Sequence, residues 1–121
     1  MSLCPCGLPV PYEECCGQLH TGTPAPTAER LMRSRYTAYV KGDAAYLQRT
    51  WDPATRPKRV AIDKDIVWRG LRVVATTGGG LLDSTGTVEY RASYELDGKR
   101  DAMQENGQFR RHEGAWVYRG P

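Results

Sequence analysis

Residues 85–98 read TGTVEYRASYELDG, and this stretch decides the fold. From residue 85 to residue 96, apolar or aromatic side chains alternate with polar ones, which is the pattern of a strand with one buried face. Asp97 and Gly98 follow directly, and an Asp-Gly pair after such a run predicts a β-hairpin. The chain is therefore expected to contain an antiparallel sheet. The side chains predicted to share one face of the first strand are Val88, Tyr90, Ala92, Tyr94 and Leu96.

Three further strands are expected around this hairpin. Gly78-Gly79-Gly80 supplies a flexible turn before it, and Glu113-Gly114 supplies another after it. The resulting order is an antiparallel meander. The predicted strands cover residues 66–75, 85–96, 99–111 and 115–118, with an irregularity at Gly70 in the first.

Two helices are predicted before the sheet. Thr27 is a suitable N-cap for a helix that closes at Lys41-Gly42, and Asp43 caps a shorter helix reaching Trp51. Residues 53–65 are polar and read as a loop. Two helices followed by an antiparallel meander predict an α+β domain, with the helices packed on one face of the sheet. The apolar positions of the first helix are Ala28, Leu31, Met32, Tyr36, Tyr39 and Val40.

All four cysteines lie within the first sixteen residues, as Cys4-Pro-Cys6-Gly7 and Cys15-Cys16-Gly17. Four thiolates on one short stretch can close a tetrahedral Zn²⁺ shell. Cys16 is the simplest fourth ligand, and His20 is the alternative, which would give a Cys₃His site. Either shell is filled by protein ligands, so the zinc is expected to be structural.

Two other interpretations of the cysteines remain open at this stage. A disulfide framework is typical of short secreted domains, and adjacent cysteines such as Cys15 and Cys16 do not bridge each other easily. Redox catalysis has little support because the chain lacks a Cys-x-x-Cys motif. Met1-Ser2-Leu3 runs directly into the motif without an apolar signal segment, so we expect a cytoplasmic protein.

Composition limits the function classes. The 121 residues carry a net charge of +3, which permits an acidic or nucleic-acid partner without demanding one. No apolar run approaches the length of a membrane span. No Ser-His-Asp set, glycine-rich phosphate loop or carboxylate pair emerges, so the sequence favours a protein that is not an enzyme.

Six segments carry a resemblance to a known family, namely residues 4–7, 15–17, 28–39, 50–53, 68–71 and 116–118. In these segments the chain resembles the YchJ-like bacterial proteins, and the resemblance extends over almost its whole length. The cysteine pattern resembles the SEC-C motif, a small zinc knuckle also found at the C-terminus of SecA translocation ATPases. The resemblance implies an SEC-C-like zinc knuckle at residues 1–22 and a domain similar to nuclear transport factor 2 (NTF2) at residues 27–121. It also implies zinc ligands at Cys4, Cys6, Cys15 and Cys16.

The resemblance implies a cystatin-like or NTF2-like cone, in which a curved antiparallel sheet packs on helices. Such cones often hold a ligand pocket. Glu105 is a candidate general base there, although a solvated or arginine-paired carboxylate is the plainer interpretation. One departure from the family pattern occurs at Gly107, where a serine is usual. The possible pocket residues are Trp68, Tyr90, Tyr94, Glu105, Trp116 and Tyr118, and we favour the interpretation that these aromatics simply form the core.

Two function classes follow from these observations. The first is a zinc-binding adaptor whose knuckle contacts a protein or ribonucleoprotein partner, helped by basic side chains. The second is a small-ligand carrier or enzyme that uses the aromatic-lined cone. We prefer the adaptor. The basic residues expected to bind its partner are Arg30, Arg33, Arg35, Arg56, Lys58 and Arg59.

Overall fold

The predicted helices and strands are all present in the computed structural model, which describes residues 3–121. A 3₁₀ turn and a short helix, α1, surround the second cysteine pair. None of the helices formed by residues 3–121 has the length and apolarity that a bilayer crossing requires. The helical elements are the 3₁₀ turn Tyr12–Glu14, α1 at Cys16–His20, α2 at Ala28–Lys41 and α3 at Ala44–Arg49.

The predicted caps start α2 and α3. The Thr27 hydroxyl accepts a hydrogen bond from the Arg30 backbone N–H at 3.1 Å, and the Asp43 carboxylate accepts one from Tyr46 N–H at 3.1 Å. Helix α3 stops at Arg49, so the prediction that it reaches Trp51 is wrong. The cause is tertiary, because the backbone after α3 pairs with the last strand: Asp52 N–H donates to Tyr118 O at 2.8 Å.

The four strands form one antiparallel sheet in the order β1-β2-β3-β4. Asp97 and Gly98 both have positive φ angles, 54° and 77°, as a type I′ hairpin requires. Register shifts occur in β1 between Trp68 and Gly70, where an irregularity was predicted, and again between Val73 and Ala75. The strands are β1 at Val67–Gly78, β2 at Thr85–Leu96, β3 at Lys99–His112 and β4 at Ala115–Gly120.

Helix α2 lies across one face of the sheet, and the main core forms between them. Leu31 and Met32 of α2 are at most 4% exposed and pack with Val88 of β2. A second apolar cluster joins α1 to α2 and α3. Helix α2 therefore contacts the sheet on one side and the cysteine-bearing segment on the other. The two clusters comprise Ala28, Leu31, Met32, Val88, Phe109 and Trp116, and Leu19, Ala38, Tyr46 and Leu47.

Candidate metal centre and cavity

The four cysteines converge on one point. The sulfur atoms of Cys4, Cys6, Cys15 and Cys16 all lie within 4.8 Å of one another, and the Sγ atoms of Cys6 and Cys15 are 3.6 Å apart. Zn–S bonds of about 2.3 Å place the sulfurs of a tetrahedral site roughly 3.8 Å apart, so the cluster fits one such ion. All four cysteines are free and at most 4% exposed, which is contrary to the disulfide alternative.

Local backbone geometry brings the two cysteine pairs together. Cys4 N–H donates to Val10 O at 2.8 Å, which folds the first pair back toward the 3₁₀ turn. Gly7 has a φ angle of 96°, a conformation that glycine adopts without a Cβ penalty. Cys16 is the first residue of α1 and Cys15 directly precedes it. The N-terminal loop thus supplies the sulfurs of Cys4 and Cys6, and the start of α1 supplies those of Cys15 and Cys16.

Polar side chains of α2 surround the sulfur cluster. The Thr37 hydroxyl donates to Cys16 Sγ at 3.4 Å, and Arg30 Nη1 lies 3.9 Å from the same sulfur. Hydrogen bonding with Cys16 lowers the pKa of Cys6 to about 5, and the same contact raises the pKa of Cys16. Hydrogen-bond donors such as the Thr37 hydroxyl and the Arg30 guanidinium stabilise thiolate ligands and fix their orientation.

His20 lies outside the cluster, so its alternative role as fourth ligand does not match the structure. Its Nε2–H donates to the Ser34 carbonyl at 2.9 Å, which leaves Nδ1 to accept from the Tyr12 hydroxyl at 2.8 Å. Both ring nitrogens are therefore occupied. His20 connects α1 to α2 and is not free to face a metal.

The structure separates the six basic residues that were predicted to bind a partner. Arg33 Nη1 donates to the Cys6 carbonyl at 2.7 Å, and its side chain is 15% exposed. Arg30 contacts the sulfur cluster, and Arg35 is only 5% exposed, so an exposed face cannot include Arg35. For Arg35 the prediction is wrong, because the presence of a charge does not distinguish the exposed face of a helix from its buried face. The residues that do lie exposed are Arg56, Lys58 and Arg59.

A cavity of about 370 Å³ lies between α2, the inner face of the sheet and the loop before β1. Of the six predicted pocket residues, Trp68, Tyr90, Glu105 and Tyr118 line it. Trp116 is instead a core residue at 3% exposure. Tyr94 packs its ring against Trp68, with centroids 5.7 Å apart. The cavity also includes residues that the sequence did not assign to a pocket: Met32, Arg35, Tyr36, Tyr39, Trp51, Ala61, Ile62, Asp63, Ile66, Ala92, Met103 and Phe109.

Two phenols hold Glu105 in the cavity wall. Its Oε2 accepts from Tyr118 OH at 2.6 Å and from Tyr90 OH at 3.1 Å. Burial and the Glu105 carboxylate raise the pKa of both tyrosines, so both hydroxyls remain protonated donors. Gly107 lies beside this group: a Cβ there would be 3.3 Å from the Tyr118 ring and 3.4 Å from Glu105 Oε2. A side chain larger than hydrogen at position 107 would thus contact the carboxylate that the tyrosines hold.

Arg35 is the charged residue of the cavity that sequence reasoning misplaced. Its guanidinium carbon lies 4.9 Å from the Trp51 ring centroid and 4.6 Å from that of Tyr118. A signal was present in the sequence, because Arg35 follows Leu31 by four residues and therefore belongs to the apolar face of α2.

Asp52 is a second residue whose role emerges only from the structure. Its side chain is fully buried, and its carboxylate binds Arg110 at 2.6 Å and Arg119 at 3.1 Å. It also accepts from Ala54 N–H at 2.9 Å. Hydrogen bonding from Arg110 and the two positive charges lower the pKa of Asp52. Asp52 thus ties the end of α3 to β3 and β4.

Comparison with known proteins gives consistent relationships over this chain. A family model described as "YchJ, middle NTF2-like domain" matches residues 27–121. The chain is 52% identical over 116 residues to a UPF0225 protein of Streptomyces coelicolor, covering 95% of this chain and 90% of that protein. It is 50% identical over 117 residues to a UPF0225 protein of Corynebacterium glutamicum, covering 95% and 92%.

Two solved structures share the fold. The solution structure of a SEC-C motif containing protein from Rhodopseudomonas palustris has a TM-score of 0.83 and 34% identity, covering 96% of this chain and 94% of that chain. The crystal structure of a SEC-C motif containing protein from Psychrobacter arcticus has a TM-score of 0.83 and 28% identity, covering 100% and 82%. The α+β architecture predicted from the sequence is therefore confirmed.

Proposed function

The chain belongs to the YchJ-like family, and on that premise we propose that it is a zinc-binding interaction protein. The observation that carries the proposal is the buried cluster of four cysteine sulfurs. An all-thiolate tetrahedral set suits Zn²⁺. With four protein ligands the ion has no open position for water or substrate, so its contribution is structural. Cys4, Cys6, Cys15 and Cys16 would hold it.

We propose a division into an SEC-C-like knuckle at residues 1–22 and an NTF2-like domain at residues 27–121. In support, the cluster around the cysteines contains few apolar side chains, namely the half-buried Leu8, Val10 and Tyr12. A core this small does not stabilise a segment by itself. The zinc would supply the missing stability.

The partner we propose is a protein or ribonucleoprotein in the cytoplasm, a compartment that keeps cysteines reduced. Leu3, beside the first cysteine pair, is 61% exposed and offers an apolar contact. The basic segment Arg56, Lys58 and Arg59 is exposed and complements an acidic surface. Arg30 and Arg33 have internal contacts instead, so they support the knuckle and are left out of the proposed interface.

Metal analysis tests the zinc assignment. Protein purified without chelator is expected to contain about one zinc per chain. Cys16→Ser should lose most of it, whereas His20→Ala, the matched control, should keep it because His20 bonds to Ser34 and Tyr12. Iron in place of zinc, intact disulfides without metal, or metal loss only in His20→Ala would contradict the assignment.

Affinity capture from native cytoplasm tests the interaction. Charge reversal at Arg56, Lys58 and Arg59 should reduce capture of the partner, as should chelation, while reversal at the exposed sheet residues Arg72 and Arg91 should leave capture unchanged. An activity screen provides the opposing outcome. The proposal fails if turnover is found that disappears in Glu105→Gln and survives deletion of residues 1–22.

A further inference from the structure

The cavity beneath α2 has a charge distribution that the metal site does not explain. Arg35 is 5% exposed and lines the cavity, yet none of the ion pairs formed among residues 3–121 includes it. Charged side chains that are this buried are normally paired, because removing a charge from water is costly. Burial lowers the pKa of Arg35, the direction expected for a cation without a carboxylate partner.

The contacts of Arg35 leave one edge of its guanidinium free. Nη1 donates to Leu47 O at 2.9 Å and to Thr50 Oγ1 at 2.7 Å, which uses both of its hydrogens. Nε and Nη2 donate no hydrogen bond to any residue from 3 to 121. These two groups form the parallel pair of N–H donors that binds a carboxylate in a bidentate manner.

The aromatic rings hold Arg35 in place without neutralising it. Its guanidinium lies over the faces of Trp51 and Tyr118, which stabilises the cation and fixes its plane. The two acidic side chains that line the cavity, Glu105 and Asp63, form no ion pair with Arg35. Glu105 accepts from two phenols, and Asp63 lies exposed in the loop before β1.

We propose that the cavity binds a small monocarboxylate with an apolar, aromatic-sized body, whose carboxylate pairs with the Nε–Nη2 edge of Arg35. The volume of about 370 Å³ is within the range of small-ligand pockets. Met32, Tyr36, Trp68 and Phe109 provide the apolar walls for the body. Glu105 disfavours a dianion by like-charge repulsion. The inference does not depend on the metal site or on the proposed partner.

Three probes with one shared body test the charge preference in the zinc-loaded full chain. They are 2-naphthoate, 2-naphthalenemethanol and protonated 2-naphthalenemethylamine, titrated by calorimetry and by NMR of ¹⁵N-labelled protein. We expect the carboxylate to bind at least tenfold more tightly than the alcohol, and the amine to bind most weakly. We also expect the Arg35 Nε–H resonance to shift downfield with the carboxylate only. The Trp51 and Trp68 indole resonances should shift in the same titration.

Arg35→Met should abolish the preference for the carboxylate over the alcohol. Arg91→Met is the matched control, since it removes an exposed arginine of β2 that does not line the cavity, and it should keep the preference. If Arg35→Met does not fold, the wild-type ranking and the Arg35 Nε–H shift decide alone. Equal binding of carboxylate and alcohol, tightest binding of the amine, shifts located away from the cavity, or no binding of any probe at millimolar concentration would each overturn the proposal.

Discussion

Residues 3–22, which we propose as the knuckle, and the four-stranded sheet differ in the contacts that surround them. The knuckle has a centre of four sulfurs. Polar contacts from Arg33 and Thr37 attach it to α2, and Leu19 of α1 joins it to α2 and α3 through an apolar cluster. The sheet has backbone hydrogen bonding between all neighbouring strands and an apolar core beneath α2. If the four sulfurs bind a metal as proposed, this short segment depends on a few ligand bonds, whereas the sheet depends on backbone hydrogen bonds and an apolar core. If the two regions are stabilised separately, damage to one should leave the other folded.

Removal of the metal should have the largest effect, and the effect should be local. Structural zinc sites contribute about 10–16 kcal/mol of apparent binding free energy in small zinc-binding peptides, and the knuckle has little other core. Chelation should collapse the NMR dispersion of residues 3–22 and shift the α2 residues that contact them, while β1 to β4 keep their resonances. Simultaneous loss of the sheet resonances would show that knuckle and sheet are one folding unit.

Asp52→Asn should destabilise the sheet side and leave the metal in place. The substitution removes the negative charge that Arg110 and Arg119 share, and hydrogen bonds to charged groups contribute about 1.5–3 kcal/mol. We expect a loss of about 2 kcal/mol in the free energy of unfolding, measured with urea, because both arginines keep partial access to water. Zinc content should stay at about one per chain. A metal-deficient Asp52→Asn protein would contradict the separation of the two regions.

The same ion pair predicts a pH dependence with a defined sign. The pKa of Asp52 is lowered in the folded state, so its contribution is fully present above the unfolded aspartate value of about 3.9. The contribution is lost as the pH falls from about 4 toward the lower native pKa. The stability difference between wild type and Asp52→Asn should therefore narrow below pH of about 4 and stay constant above about 5. A difference that widens on acidification would rule out this role for Asp52.

A matched pair of arginines should give the smallest effects. Arg33→Met removes the bond to the Cys6 carbonyl at the knuckle–α2 junction, together with a partly exposed ion pair to Glu29, and should cost about 1 kcal/mol. Arg69→Met removes an ion pair with Glu95 whose arginine is 56% exposed, and should cost less, because exposed ion pairs contribute little to stability. Thermal unfolding of the zinc-loaded variants measures both. Equal costs would mean that the junction bond contributes no more than a surface pair.

Local sequence patterns determined much of this protein. The four clustered cysteines predicted a metal site, and the caps at Thr27 and Asp43 set the starts of both main helices. The alternation of residues 85–96 set the strand β2 and its inward face. These features are readable because capping, turn chemistry and side-chain alternation act over a few residues.

Tertiary structure decided the features that depend on residues far apart in the chain. Trp51 lies outside α3 because the backbone there pairs with β4. Asp52 forms an ion pair with Arg110, which is 58 positions away in the sequence. His20 is turned away from the sulfurs by Tyr12 and Ser34. In the sequence Arg35 looks like the other basic residues of α2. Only the packing of α2 on the sheet places it in the cavity. Sequence spacing specifies which face a side chain occupies on its own element, but the partner that covers that face is chosen by packing across the whole chain.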